Sequence, residues 1–427
     1  MRKMFAVAAA LVLAPSLALG AGFALFEAGN RGLGMAGAFT AVADDPSAMY
    51  WNSAGLAFQN DKGVQIMGGV TLIAPEQTFY GEDPYPGVGY SVEQESQVFS
   101  PIHGYVVIPL GDRTTFGFSV LTPFGLGTWW PDDHAGRFIS KRVDLYAFDF
   151  SPNLAFKLSE NFAFGIGLDY RVSTIDLTRS LPLVDPFQQQ ISEVGQVHIY
   201  TDGMGNDGWG WHAGLLGKLG SGFQVGINYR SGITVDYEGY AEFSQFSTGN
   251  PELDAIVAAT IPFDETISGV TKIEFPDYVT VGLSWSNEKF TISGQWGRMG
   301  WSSFQELELT FPNDPEFNEV IPENYEDSSD YRLGMEFRAS EKIAIQAGAV
   351  YDETPQPMSS MTPLLGDADR VGYNLGLSWI HRSWRLDLGG EYLTVDDRGT
   401  EGTSESGYEG WYESSAILAG ATLTFYF

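Results

Sequence analysis

The chain has 427 residues, no cysteine, 51 glycines, 29 Phe, 20 Tyr and 11 Trp, and 54 acids against 23 Lys plus Arg give a formal charge of −31. Zero cysteine excludes disulfides, thiolate metal sites, thiol nucleophiles and the acylated cysteine of a bacterial lipoprotein, and the acidic balance argues against nucleic acid, whose binding rests on Lys and Arg neutralising phosphates. Beyond residue 20 nothing approaches the ~18 consecutive apolar residues of a membrane helix, which excludes a polytopic helical protein and leaves a membrane protein built from strands.

Arg2 and Lys3 are followed by the apolar run Met4–Ala14 and by Pro15-Ser16-Leu17-Ala18-Leu19-Gly20. Small residues at Ala18 and Gly20 suit cleavage before Ala21, so 1–20 reads as a secretory signal peptide, too short for a membrane anchor. Loss of Arg2 and Lys3 leaves 54 acids against 21 bases, a mature charge of −33.

Residues 21–60 lack strand rhythm and are rich in Gly and Ala. They contain Gly32-Leu33-Gly34-Met35-Ala36-Gly37, a literal G-x-G-x-x-G. Dinucleotide binding needs a preceding strand and an acid ~20 residues on. Here no strand precedes and Asp44 and Asp45 come too soon. Glycines that let backbones approach closely in a compact plug are the better account.

From 61 to 427 period-two alternation recurs. Val279, Val281, Leu283 and Trp285 share one face, with Thr280, Gly282 and Ser284 opposite; Tyr331, Leu333, Met335 and Phe337 alternate with Arg332, Gly334, Glu336 and Arg338. An aromatic, apolar face opposite a polar and small one fits a barrel with lipid outside and a partly wet lumen. Tight turns fall near 111–113, 159–161, 220–222, 286–289, 339–342 and 381–383. Long polar links fall near 81–94, 124–141, 181–206, 241–270, 312–328, 355–369 and 397–409. These six short and seven long links separate fourteen strands. The predicted fold is an all-β, fourteen-stranded antiparallel transmembrane barrel whose short turns are periplasmic, with 21–60 as a plug in its lumen.

Two long loops carry helix signals. Asp185 caps a first helix that Pro186 starts and Gly195 closes, with Phe187, Ile191 and Val194 on one face. Asn250 caps a second that Pro251 starts, with Leu253, Ile256, Val257 and Thr260-Ile261 as its stripe. The two faces either pack as a lid or form an outward groove for hydrophobic molecules. Trp129 and Trp130 either line the same mouth or join an aromatic interface belt. The loop Asp314–Asp327 holds six acids and no Lys or Arg, which reads as a solvated face or a seat for divalent ions. Five scattered histidines without H-E-x-x-H give no metal site, and no G-x-S-x-G warrants serine chemistry, so neither enzyme activity nor a cofactor is expected.

The stretch Ala21-Gly22-Phe23, Glu27, Gly32-Leu33-Gly34, Ala36, Ala43-Asp44-Asp45 and Asn52-Ser53-Ala54-Gly55-Leu56 resembles the N-terminal hatch of the FadL family of outer-membrane transporters for long-chain fatty acids and related hydrophobic compounds. The resemblance runs on through Pro123-Phe124-Gly125-Leu126, Trp209-Gly210-Trp211, Asn228-Tyr229-Arg230-Ser231, Trp301-Ser302-Ser303-Phe304, Tyr331-Arg332-Leu333-Gly334, Asp352–Pro357, Asp369-Arg370 and the aromatic C-terminus. One departure is Ser53, where the family usually has proline, so that φ there is not fixed.

The resemblance implies a hatch that moves around Asn52, Ser53 and Ala54, capture at outer loops, and lateral release through a kinked third strand. Thr122, Pro123, Phe124 and Gly125 occupy the place of that kink; alternatively Pro123 merely ends its strand. The implied substrate is a long-chain fatty acid or, by the same mechanism, an aromatic hydrocarbon. Arg171, Arg230, Arg298, Arg332 and Arg338, lumenal by alternation, either meet a substrate carboxylate or pair with neighbouring acids. The expected partners are outer-membrane lipid, lipopolysaccharide and the barrel-assembly machinery, with no nucleic acid and a monomeric state. The rivals are a general diffusion porin for small polar solutes, a surface barrel used by adhesion or phage, and, more distantly, a lipid hydrolase.

Overall fold

The computed structural model of the chain describes residues 22–184, 191–201, 203, 205–263 and 265–427; the expected signal peptide and Phe187 lie outside them. Alternating side chains leave each strand one face for lipid and one for the interior, and the described strands form one closed antiparallel barrel of fourteen. They are β1 (Gln65–Gly81), β2 (Ser91–Glu93 and Ile102–Pro109), β3 (Thr114–Trp129), β4 (Arg142–Lys157), β5 (Phe162–Val184), β6 (Ile191–Thr201 and Asn206–Gly220) and β7 (Phe223–Arg230 and Ile233–Gln245). There follow β8 (Thr266–Phe275 and Tyr278–Ser286), β9 (Phe290–Met299), β10 (Ser328–Arg338), β11 (Ile343–Asp352), β12 (Arg370–Ile380), β13 (Trp384–Val395) and β14 (Gly410–Tyr426). Pairing of β1 with β14, from Gln65↔Tyr426 to Gly81↔Gly410, closes the barrel and leaves no outer edge.

The expected faces are present. Val281 and Leu283 are exposed while Thr280 and Ser284 are buried, and Leu333 and Leu375 point out where Arg332, Glu336 and Asn374 point in. The tight turns join β2–β3, β4–β5, β6–β7, β8–β9, β10–β11 and β12–β13, all at one end of the barrel.

The helix expected to end at Gly195 is a correction. Ile191 and Val194 lie in the upper segment of β6, which pairs with β5 from Val184↔Ile191 to Asp176↔Tyr200 and with β7 from Gly195↔Gln245 to Thr201↔Gly239. Ladders on both sides satisfy the backbone of this β-branched run, and a stripe of three apolar residues does not outweigh them. The second helix does form, as α3 (Pro251–Ala258) once α1 (Asn30–Gly34) and α2 (Ala48–Trp51) are counted, and the Asn250 side chain accepts from Glu252 N and Leu253 N.

Residues 22–62 fold inside the lumen as α1, α2 and two 3₁₀ turns, and nearly all of them are buried. Their backbone runs directly against inward glycines of the wall. A Cβ on Gly226 would collide with the Thr40 carbonyl oxygen, on Gly334 with Met35, on Gly389 with Asn30, on Gly165 with Ser53 and Ala54, and, from the hatch side, on Gly34 with Gly376. Gly34 of the G-x-G-x-x-G motif thus packs backbone to backbone and holds no nucleotide phosphate.

Gly226→Val is therefore expected to unseat the plug while Gly104→Val, at a site with nothing within 4 Å, is neutral. Single-channel conductance in planar bilayers reads this directly: large open events should appear in the first variant and be absent from the second.

Candidate functional site

Pro123 lacks the N–H that a ladder requires, and the strand answers with a bulge. β3 pairs with β4 down to Leu121↔Asp149 and resumes at Phe124↔Ala147, so β3 carries one extra residue. The insertion flips the inward parity: Ser119 and Leu121 are buried before it, Phe124, Leu126 and Thr128 after it. The strand continues to Trp129, so Pro123 does not end it.

On its other edge β3 pairs with β2 only as far as His103↔Leu121. Thr122 Oγ1 still reaches Ile102 O at 3.3 Å, and the next backbone tie is Glu95 N donating to Trp129 O at 2.9 Å. Among the described residues the stretch between these ties is a gap in the ladder. The hatch fills it from inside: Leu25 N donates to Pro123 O at 2.9 Å and Gly125 N to Phe23 O at 3.0 Å. The Phe124 ring packs on Phe23, Phe275 and Trp301, with centroids 6.1, 5.0 and 6.1 Å away, and the Arg171 guanidinium lies 4.6 Å from its centroid.

Phe23 also walls an apolar cavity of about 40 Å³, together with Leu126, Val143, Leu145, Ile273, Phe304, Tyr325, Leu364 and Leu365. Ile175, Leu177 and Leu307 are shared with a second apolar cavity of about 40 Å³ that reaches Tyr237, Leu309 and Phe311. The β9–β10 connection supplies the roof as a hairpin, Glu306–Leu309 against Glu319–Pro322. Leu307, Leu309 and Phe311 are its buried face; their period-two spacing was a usable signal that went unread. Among the described residues lining these cavities there is no Lys, Arg or His.

One ionisable side chain of the acidic loop lines the chamber. Glu323, expected among solvated acids, is 4% exposed and its Oε2 has no hydrogen-bond partner. Gln305 O accepts from both Glu323 N (2.8 Å) and Asn324 N (2.9 Å), and Gln305 Nε2 donates to Tyr325 O (2.9 Å). Asn324 takes φ 53, a left-handed turn that asparagine tolerates. Burial, with the Glu405 charge adding, pushes the Glu323 carboxyl up to about 8.

Below Phe23 the lumen is charged. Arg31 of α1 donates to Glu336 of β10 through Nε (2.8 Å) and Nη2 (3.1 Å) and also pairs with Asp44. Arg385 reaches Glu336 (3.2 Å) and Asp387 (2.7 Å). Arg230 donates to Met49 O at 3.0 Å at the end of α2 and pairs with Asp169, which also holds His212 at 2.8 Å. Ser151 Oγ donates to Asp169 as well, so it is not set against the imidazole as a nucleophile would be. A third cavity, about 30 Å³, is lined by Glu27, Arg332, Asp352, Arg370 and Glu391.

Of the five arginines expected in the lumen, Arg171, Arg230 and Arg332 are inside and paired with Asp149, Asp169 and Asp330. Arg298 and Arg338 are exposed, and Arg298 faces Asp327 at 3.6 Å. Leu253 and Val257 form a small closed core with Val194, while Ile256 is exposed. Among the described residues α3 thus packs on Val194 of the β5–β6 hairpin, not on a second helix. Trp130 is buried beside Phe79, Tyr408 and Tyr412 and donates to Pro363 O at 2.8 Å; Trp129 donates to Asp144 at 3.0 Å.

At the hatch motif Asn52 Nδ2 donates to Thr40 O and to Leu215 O of β6, both at 3.0 Å, and its Oδ1 accepts from Ala54 N at 3.2 Å. Asn52 is extended (φ −171, ψ 99), the conformation that a following proline favours, and Ser53 starts a 3₁₀ turn. Serine at that position therefore leaves the fold of the turn intact, with its Oγ buried and unpartnered.

The family described as outer membrane protein transport protein (OMPP1/FadL/TodX) matches residues 11–427. A long-chain fatty acid transport protein of Escherichia coli O6:H1 is 24% identical over 99% of this chain and 98% of its own length. The crystal structure of a Pseudomonas aeruginosa FadL homologue superimposes with TM-score 0.81 at 20% identity, covering 95% of this chain and all of that one. The toluene transporter TodX of P. putida superimposes with TM-score 0.70 at 17% identity, covering 90% of this chain and 94% of that one.

Two substitutions probe the hatch. Arg31→Ala leaves Glu336 buried with less compensation, a loss of about 3 kcal/mol in hatch docking, and protease should cut the hatch of the purified barrel that it spares in the parent. Ser53→Pro meets an accommodating backbone and is expected to stabilise by about 0.4–1 kcal/mol, read as later protease cleavage under increasing urea.

Proposed function

The chain belongs to this family and is an outer-membrane transporter of hydrophobic compounds; we propose a route in which the solute enters the apolar chamber from the outer loops and leaves sideways through the gap between β2 and β3. The observation that carries this reading is Phe23, which walls the chamber with its ring and closes the gap with its carbonyl. Withdrawal of the segment around Phe23–Leu25 joins chamber to membrane. The straight path downward meets the hatch, the Arg31–Glu336 network and a charged cavity, where an apolar solute loses its hydrophobic gain. Sideways release keeps it out of water throughout. Movement of the hatch turn at Asn52, Ser53 and Ala54 accompanies release.

The substrate is a long-chain fatty acid or an aromatic hydrocarbon, the two classes that the names of the relatives carry. The apolar lining common to the two cavities suits a hydrocarbon chain as well as small rings. A porin for polar solutes fits less well, because the described lumen is filled by the hatch.

Deleting Pro123 restores the ladder register and should cut uptake of radiolabelled long-chain fatty acid or toluene by at least about tenfold, with the barrel still heat-modifiable on gels. Equal uptake by the parent strain and a strain lacking the protein, or ready sugar passage in liposome swelling, would sink the route.

A further inference from the structure

The chamber's chemistry narrows what it accepts. Its lining holds no cation among the described residues, and Arg171, at the inner end beside Phe124, is engaged by Asp149 through Nε at 2.7 Å and Nη2 at 2.8 Å. A carboxylate entering this space would shed its hydration with no cation on the lining to receive it; the Arg171 Nη1 that Asp149 leaves unpartnered lies outside that lining. The one carboxyl on the lining, Glu323, is more than nine-tenths buried with Oε2 unpartnered, on a backbone pinned twice by Gln305. An orphaned carboxyl oxygen in an apolar cavity is a hydrogen-bonding position that the protein itself leaves open.

We propose that Glu323 is the specificity-determining residue of the chamber and selects an uncharged hydrophobic molecule bearing one hydroxyl or carbonyl group, against the free carboxylate of the same chain length. The inference rests on the transport reading above and deepens it. The Glu323 carboxyl offers the polar end of an alcohol, phenol or ketone a side-chain hydrogen bond in largely apolar surroundings, and it supplies no positive charge to an anion placed beside it. The hydrocarbon part lies against Ile175, Leu177 and Leu307, which wall both cavities.

The test is competition of 1-dodecanol and dodecanoate for the purified full-length protein in lipid nanodiscs, with radiolabelled 1-dodecanol as the probe, on the parent and on Glu323→Gln, Glu323→Leu and Glu323→Lys. In the parent the alcohol should bind at least ~10-fold more tightly than the carboxylate. Glu323→Gln, neutral and still hydrogen-bonding, should keep that order. Glu323→Leu should weaken the alcohol several-fold, and Glu323→Lys should reverse the order in favour of dodecanoate. Heat-modifiable migration verifies that each variant is folded, and the isosteric Gln variant remains informative if the Lys variant is not. Equal or tighter binding of dodecanoate by the parent, or an order unmoved in both the Leu and Lys variants, overturns the proposal while leaving hydrophobic transport standing. Failure of the parent to bind either probe overturns the transport reading and this inference together.

Discussion

A fourteen-stranded barrel would be a water channel unless something fills it, and everything else in this protein depends on how closely the filling meets the wall. The contact is backbone on backbone. The plug follows a course along which the inward positions of several strands carry glycine, so carbonyls and amides approach where a side chain would hold them apart. Polar side chains then fix the register: Asn52 to Leu215 O, Gln295 to the amides of Phe39 and Thr40 at 3.2 and 3.0 Å, and Arg31 to Glu336.

Given that seating, the lumen divides by chemistry. Aromatic and aliphatic residues from β3, β4, β5 and β8 meet the inward hairpin of the β9–β10 connection above the plug, and charge networks hold it below. The boundary runs through Phe23 and Phe26, the part of the chain that turns from the wall towards α1. The acidity of the protein is spent mostly on exposed loops and on pairs such as Arg171–Asp149 and Arg332–Asp330, so net charge says little about the chamber. One carboxyl, Glu323, does.

The barrel was legible because its signals are local. Period-two alternation and the polar turns between strands need no knowledge of the partner strand, and the faces of Val279–Trp285 and Tyr331–Phe337 are as read. Proline at 123 was half legible: its chemistry permits a strand end or a bulge, and only the pairing of β4 on one side and its lack with β2 on the other selects the bulge. The spacing of Phe187, Ile191 and Val194 matched a helix, yet Ile191 pairs with Val184 of β5 and the Val194 carbonyl accepts from Phe246 N, just beyond β7. The chamber was not legible at all, since Phe23, Leu145, Leu177, Ile273, Tyr325 and Leu365 meet only after the barrel closes. Glu323 looked like its five acidic neighbours in Asp314–Asp327 until the turn at Asn324 was seen to aim it inward.

The bulge has one more consequence, for the solvation of the wall itself. Hydrocarbon offers no hydrogen bonds, so a bare strand edge facing lipid is costly for every amide and carbonyl it presents. A proline at the centre of such an edge removes one amide from that inventory before the hatch has moved at all. In the proposed withdrawal of Phe23 and Leu25, the wall groups newly stripped of partners are the Pro123 carbonyl and the Gly125 amide, a single pair in place of a full rung-by-rung seam. The residue that interrupts the ladder also keeps the interruption inexpensive in a bilayer.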